Sequence, residues 1–182
     1  MTLRTPHHLA QDQGTSYWIG TAQLTVKIAG KDTGGAYTLL EIKAPNGMKL
    51  APHTHTREDE VFVVTSGRVR VYCDNQPFEL ESGGCVFLPR NLQHSFEVLS
   101  EDFRALQIVN PSGFEDMLEE LGDITKRPAQ PGAIDPAAMA RVMQVTQKYG
   151  QVMTPPPGMR PPAGVAPHVQ HVPDEHQALH SH

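Results

Sequence analysis

Cysteine is scarce: Cys73 and Cys85 are the two in 182 residues, and neither lies in a paired redox or metal spacing. That argues against a disulfide scaffold and a thiolate zinc site. It suggests a reduced, cytoplasmic compartment in which both thiols serve as small buried hydrophobes. Long apolar runs are missing too. Nothing approaches the roughly 20 residues of a bilayer span, and residues 1–8 lack the charged start and apolar stretch of a secretory leader. Positive charge is thin and scattered, with 15 Lys and Arg against 20 Asp and Glu for a net −5. No basic track exists for a phosphate backbone, so nucleic acid is not an expected partner, and neither is a membrane. Apolar residues make up 38% of the chain, and the shortfall lies mainly near its end. The rest suffices for one domain with a full core and not for two.

What is present is mostly strand-like. In residues 17–28, Leu24, Val26 and Ile28 alternate with Thr25 and Lys27, the period of a half-buried strand. The glycines of 30–35 mark a turn, residues 36–44 a second strand, and Pro45-Asn46-Gly47 its end. Residues 60–64 and 68–72 flank Thr65-Ser66-Gly67 as a hairpin. Short strands follow at 78–80, 86–88, 95–99 and 103–109. Nine or ten strands with tight turns and no helical pattern between them predict an all-β antiparallel sandwich or barrel.

The rhythm changes after Asn110-Pro111. Phe114, Met117, Leu118 and Leu121 recur at helical spacing, with Gly122 as a stop. A second helix has Asp135 as cap, Pro136 at its first position, an apolar face of Met139, Val142, Met143 and Val145, and Gly150 as its close. These helices are expected to pack outside the strands or against a second subunit. The expected organisation is an N-terminal arm over 1–16, a β-barrel over 17–112, a helical extension over 113–150 and a Pro- and His-rich disordered tail over 151–182. His7, His8 and the five histidines of the tail are read as solvated side chains.

Chemistry concentrates in two motifs. The first is Gly47-x5-His53-x-His55-x4-Glu60-x6-Gly67 and the second Gly83-x5-Pro89-x-Asn91-x2-His94. On a strand His53 and His55 point the same way. An isolated pair of that kind is more often a solvated surface feature. Here two spaced motifs supply three histidines and a carboxylate, the ligand types of a metal site.

The two motifs resemble those of the cupin superfamily, small antiparallel jelly-roll barrels with a metal at the centre. The resemblance covers about residues 24–109. The first motif matches at every defined position. The second departs at Asn91, where glycine is usual, and at Val98, where asparagine is usual. Asn tolerates the left-handed backbone better than other non-glycine residues. The resemblance implies His53, His55, Glu60 and His94 as ligands. Glu60 has the wrong parity to join the histidines on one straight strand, so a loop over 56–59 is required. Glu58 and Asp59 are rival carboxylates. Glu60 is preferred because it heads the apolar run Val61 to Val64 and stands six residues before Gly67, with Asp59 the next choice. Such a set suits one divalent transition metal, Mn, Fe, Co, Ni or Cu, with positions left open. A closed tetrahedral zinc would leave no place for substrate.

Inward-facing neighbours should form the pocket. Phe62 and Val64 share the parity of Glu60, and Phe96 lies two residues beyond His94. Leu50, Tyr72 and Phe87 are further wall candidates. Three stretches, residues 33–42, 53–64 and 111–120, look like the single-domain cupins related to bacterial flavonol dioxygenases (quercetinases). That closer resemblance implies a homodimer and a ring-opening dioxygenation of a small-molecule substrate by O2, with Glu60 taking the substrate's proton. A non-oxidative isomerase, cyclase or decarboxylase, or a non-catalytic small-molecule-binding cupin, would use the same scaffold.

Overall fold

The computed structural model describes residues 5–126 and 135–154. Eleven strands lie among them, all paired antiparallel. In chain order they are β1 (Thr15–Ile19), β2 (Ala22–Ile28), β3 (Thr38–Lys43), β4 (Lys49–His55), β5 (Asp59–Ser66), β6 (Arg68–Cys73), β7 (Gln76–Glu81), β8 (Cys85–Leu88), β9 (His94–Val98), β10 (Arg104–Asn110) and β11 (Gln151–Met153). One sheet has the order β1-β2-β3-β10-β5-β8 and the other β11-β4-β9-β6-β7. The result is a jelly roll of two sheets rather than a closed barrel. Period-two alternation builds its core. Phe62 and Val64 of β5, Val69 and Val71 of β6, and Ala105 and Val109 of β10 are buried, and the residues between them are more exposed.

Turn chemistry sets the register. Asp74 and Asn75 join β6 to β7 with φ of 48° and 64°, left-handed at both positions as a two-residue hairpin requires. Gly67 has φ 75° between β5 and β6, and a Cβ there would lie 2.9 Å from the Phe103 backbone. The stretch 17–28, read as one strand, is a hairpin: Gly20 (φ 59°) turns the chain, and Ile19 pairs with Ala22. Alternation alone does not reveal a two-residue turn between strands of the same period. The turn read at 30–35 includes a single helical turn, α1 (Gly30–Thr33).

The C-terminal region departs most from expectation. Helix α2 (Phe114–Glu120) runs into a 3₁₀ turn (Gly122–Thr125), and α3 (Pro136–Lys148) starts where the Asp135 carboxylate accepts from the Ala137 N–H at 3.0 Å. Neither helix lies wholly outside the sandwich. Phe114, Met117 and Leu118 of α2 and Val145 of α3 join the same core as the strands. Glu120 clasps the helices together: its carboxylate accepts from Lys148 Nζ at 2.6 Å and Tyr149 Oη at 2.8 Å. The bond to Glu120 pushes the Tyr149 hydroxyl up to about 12. Beyond Gly150, β11 pairs with β4, so Gln151 to Met153 belong to the sheet and not to a tail. The remaining tail, 155–182, lies outside the described residues. Residues 5–14 are tied down rather than loose, with the Asp12 carboxylate bonded to Lys43 at 3.0 Å and Arg104 at 3.1 Å. Among the described residues no helix is long and apolar enough to cross a membrane.

Candidate metal centre

His53 and His94 face each other across the β4–β9 ladder, and His55 follows on the same face of β4. The chain leaves β4 at His55, crosses over residues 56–58 to the facing sheet, and starts β5 at Asp59. Glu60 therefore reaches the histidines from the opposite sheet, which resolves its parity. Candidate ligand nitrogens of the three histidines lie within 4.8 Å of one another. Glu60 Oε1 stands 3.3 Å from His55 Nε2, and Oε2 stands 3.4 Å from His94 Nε2. All four side chains are buried, none more than 6% exposed.

The outer ring nitrogens are already in use. His53 Nδ1 lies 2.9 Å from the Ala51 carbonyl, His94 Nδ1 3.1 Å from the Leu92 carbonyl, and His55 Nδ1 3.2 Å from Glu58 Oε2. Each acceptor calls for a proton on Nδ1 and leaves the Nε2 lone pair to face inward, the tautomer a metal ligand needs. His55 Nε2, His94 Nε2 and Glu60 Oε1 are buried without a hydrogen-bond partner. Such orphans cost about 1–3 kcal/mol each, and a cation among them would offset the cost. The residues fit a divalent metal on this ground.

Electrostatics points the same way. Burial, aided by His94 and His55, lowers His53 to about 3, so it is neutral at physiological pH. Burial alone would raise the Glu60 carboxyl, but His55, His94 and His53 outweigh it and hold the group below the usual carboxylate range, ionised. Burial also opposes charge on His55, yet Glu60 and Glu58 on either side raise its pKa.

The rival acids have other tasks. Glu58 supports His55 from behind. Asp59 turns to Arg90, accepting from Nη2 at 2.6 Å, Nε at 3.0 Å and the backbone N–H at 2.8 Å. Asn91 adopts φ 69°, and its N–H donates to the His55 carbonyl at 2.7 Å, joining the second motif to the first. Val98 is wholly buried in the core, a role that needs no polar group.

A cavity of about 190 Å³ opens on His53, Glu60 and His94. Leu50, Phe62 and Phe96 line it. Val64, Tyr72 and Phe87 do not. Val64 is packed in the core at 1% exposure, and Phe87 faces out at 59%. Their neighbours Val71 and Leu88 take the inward positions, because a one-residue error in strand phase exchanges the two faces. Cys85, expected inside, is exposed for the same reason, whereas Cys73 is buried. Further walls come from Trp18, Met48, Gln107, Phe114, Gln151 and Met153. Of these, only Gln107 carried a readable signal, as a polar residue in phase with Ala105 and Val109. Phe114 also stacks on His55, ring centroids 6.1 Å apart.

A small antiparallel jelly roll with three converging histidines and a glutamate has the architecture of the cupins, and its histidine cluster could hold a metal ion. Residues 39–109 match the family described as Cupin domain, and over that stretch the sandwich is similar to it. Among curated proteins, the chain is 25% identical over 118 residues to a quercetin 2,3-dioxygenase of Bacillus subtilis, covering 65% of this chain and 35% of that one. It is 30% identical over 119 residues to a quercetin 2,3-dioxygenase of Aspergillus japonicus, covering 59% and 34%. The chain thus spans about a third of the length of both relatives. Among solved structures, KdgF from Halomonas sp. superposes with a TM-score of 0.56 at 19% identity, over 63% of this chain and 100% of that one. That likeness concerns the fold alone.

Proposed function

We propose that this protein is a metal-dependent dioxygenase of quercetinase type, adding both atoms of O2 to an enolic or phenolic substrate with opening of its ring. The observation that carries the reading is Glu60: an ionised carboxylate, 2% exposed, beside the inward nitrogens of His55 and His94, at the wall of an apolar cavity. The likeness to two quercetin 2,3-dioxygenases supports the same chemistry. His53, His55, His94 and Glu60 would hold one divalent transition metal, Mn, Fe, Co, Ni or Cu. Such an ion supplies Lewis acidity that makes a substrate hydroxyl easier to ionise. Glu60 takes the hydroxyl proton, being charged and already within reach of the ligand cluster. Leu50, Phe62 and Phe96 exclude water and hold a flat ring system. The cavity, about 190 Å³, is below the range of about 300–1,000 Å³ that encloses drug-sized ligands. A compact one- or two-ring enol therefore suits it better than a three-ring flavonol.

Oxygen consumption tests the reading. Metal-loaded protein should take up O2 in step with loss of a flavonol or smaller enol drawn from a panel. Turnover that continues under anaerobic conditions would instead identify a non-oxidative isomerase, cyclase or decarboxylase. Ligand binding with no turnover at all would identify a non-catalytic binding cupin.

A further inference from the structure

Two side-chain amides in the cavity wall have no task in the reading above. Gln107 is 8% exposed and Gln151 5%. Both front the cavity, and neither side chain forms a hydrogen bond with any described residue. The rest of their surroundings is largely apolar. Gln107 sits on the inner face of β10 between Ala105 and Val109, and Gln151 shares the cavity wall with Met153 and Phe114. Leucine at either position would bury more apolar surface, whereas an amide on the cavity wall is placed to bond to a molecule held there.

Their places in the two sheets put them on either side of the metal centre. Gln107 is in register with Phe62 of β5, and the next inward pair on that ladder is Val109 with Glu60. Gln151 is in register with His55 of β4. In-register neighbours on an antiparallel pair have Cβ atoms about 4.5–5.5 Å apart and diagonal ones about 7–8 Å. One amide therefore comes from the sheet that carries Glu60, and the other from the sheet that carries the histidines. Each offers an N–H donor and a carbonyl acceptor. A hydroxyl next to a ring carbonyl offers the complementary set.

We propose that Gln107 and Gln151 form a polar pair that selects a substrate bearing a second oxygen function beside the one at the metal centre, an enol adjacent to a ring carbonyl. The reading rests on the proposed function for the site it decorates and assigns two residues that recognise its substrate. Gln151 falls outside residues 39–109, the segment matched as a cupin domain. Part of the selectivity is thus contributed by this chain's own C-terminal strand.

The test is anaerobic calorimetric titration of the metal-loaded full chain with two bicyclic probes. One is 3-hydroxychromone, a hydroxyl beside a ring carbonyl, and the other is 2-naphthol, a hydroxyl alone. Wild-type protein should prefer the chromone. Gln107→Leu and Gln151→Leu should each reduce that preference about five- to tenfold, the worth of one hydrogen bond, with metal content and Tm retained. Should either leucine variant fail to fold, the unbranched Gln→Met variant at that position takes its place. A preference unchanged in the variants would overturn the proposal, since metal chelation alone would then explain it. Failure of wild-type protein to bind either probe would also overturn it. A parallel aerobic run separates the two readings. A preference that falls in the variants while no O2 is consumed would sink the dioxygenase and leave the selectivity standing. O2 uptake with an unaltered preference would do the reverse.

Discussion

Glu58, Asp59 and Glu60 are chemically near-identical neighbours with three different tasks. Glu58 holds the His55 ring from behind, Asp59 pairs outward with Arg90, and Glu60 faces the three imidazoles. Their substitutions should separate cleanly. Glu60→Gln should keep the fold and lower kcat by at least about 10²-fold, the contribution of a positioned base. Glu58→Gln should weaken metal affinity by about 10- to 100-fold, as loss of a ligand's supporting partner does. Asp59→Asn should leave metal affinity within about twofold, because its carboxylate is committed to Arg90. Metal titration of the three variants, with steady-state rates, checks all of this. A metal loss in Asp59→Asn larger than in Glu58→Gln would exchange their assignments. At this scale the candidate ligands came from the resemblance: the cupin-like motifs implied His53, His55, Glu60 and His94, and the six residues before Gly67 favoured Glu60 over its acidic neighbours. The support given by Glu58 was not legible, since it depends on which way a three-residue turn directs its side chains.

At the scale of elements, the sheets were legible wherever side chains alternate strictly, as in β5 and β10. They were not where strand phase had to be guessed, as with Tyr72 and Phe87 in β6 and β8. Nor did composition reveal that β11 forms, since three residues after a helix carry too little pattern. Glycine turns are a firmer guide. Gly67→Ala should destabilise the fold by about 1–3 kcal/mol, because the residue has φ 75° and its Cβ would press on the Phe103 backbone. Urea unfolding at unchanged m-value would measure this. The C-terminal extension gives a second contrast. Deleting residues 155–182 should leave metal content and activity nearly unchanged. Deleting 151–182 removes β11 with Gln151 and Met153, so it should lower both Tm and probe affinity. Equal behaviour of the two truncations would mean that β11 contributes nothing to the cavity.

At the scale of the whole molecule, the cupin-like segment carries the candidate metal centre, and flanking segments on both sides complete the cavity. The matched stretch 39–109 contains all four proposed ligands. Trp18 comes from before it, and Phe114, Gln151 and Met153 come from after it. That division explains why ligand chemistry could be read from two short motifs, whereas the pocket could not: its walls converge from segments far apart in sequence. We further propose a homodimer, as the resemblance of the motifs implies. Light scattering of the full chain should give about twice the monomer mass of 20.0 kDa, and a monomeric mass would end that proposal.

Everything above depends on one metal held by residues of both sheets. The direct measurement is elemental analysis of purified protein, wild type beside His55→Ala and His94→Ala. The account predicts one equivalent of a single divalent transition metal per wild-type chain and essentially none in either variant, with all three proteins folded. Full metal stoichiometry retained in either variant would contradict it.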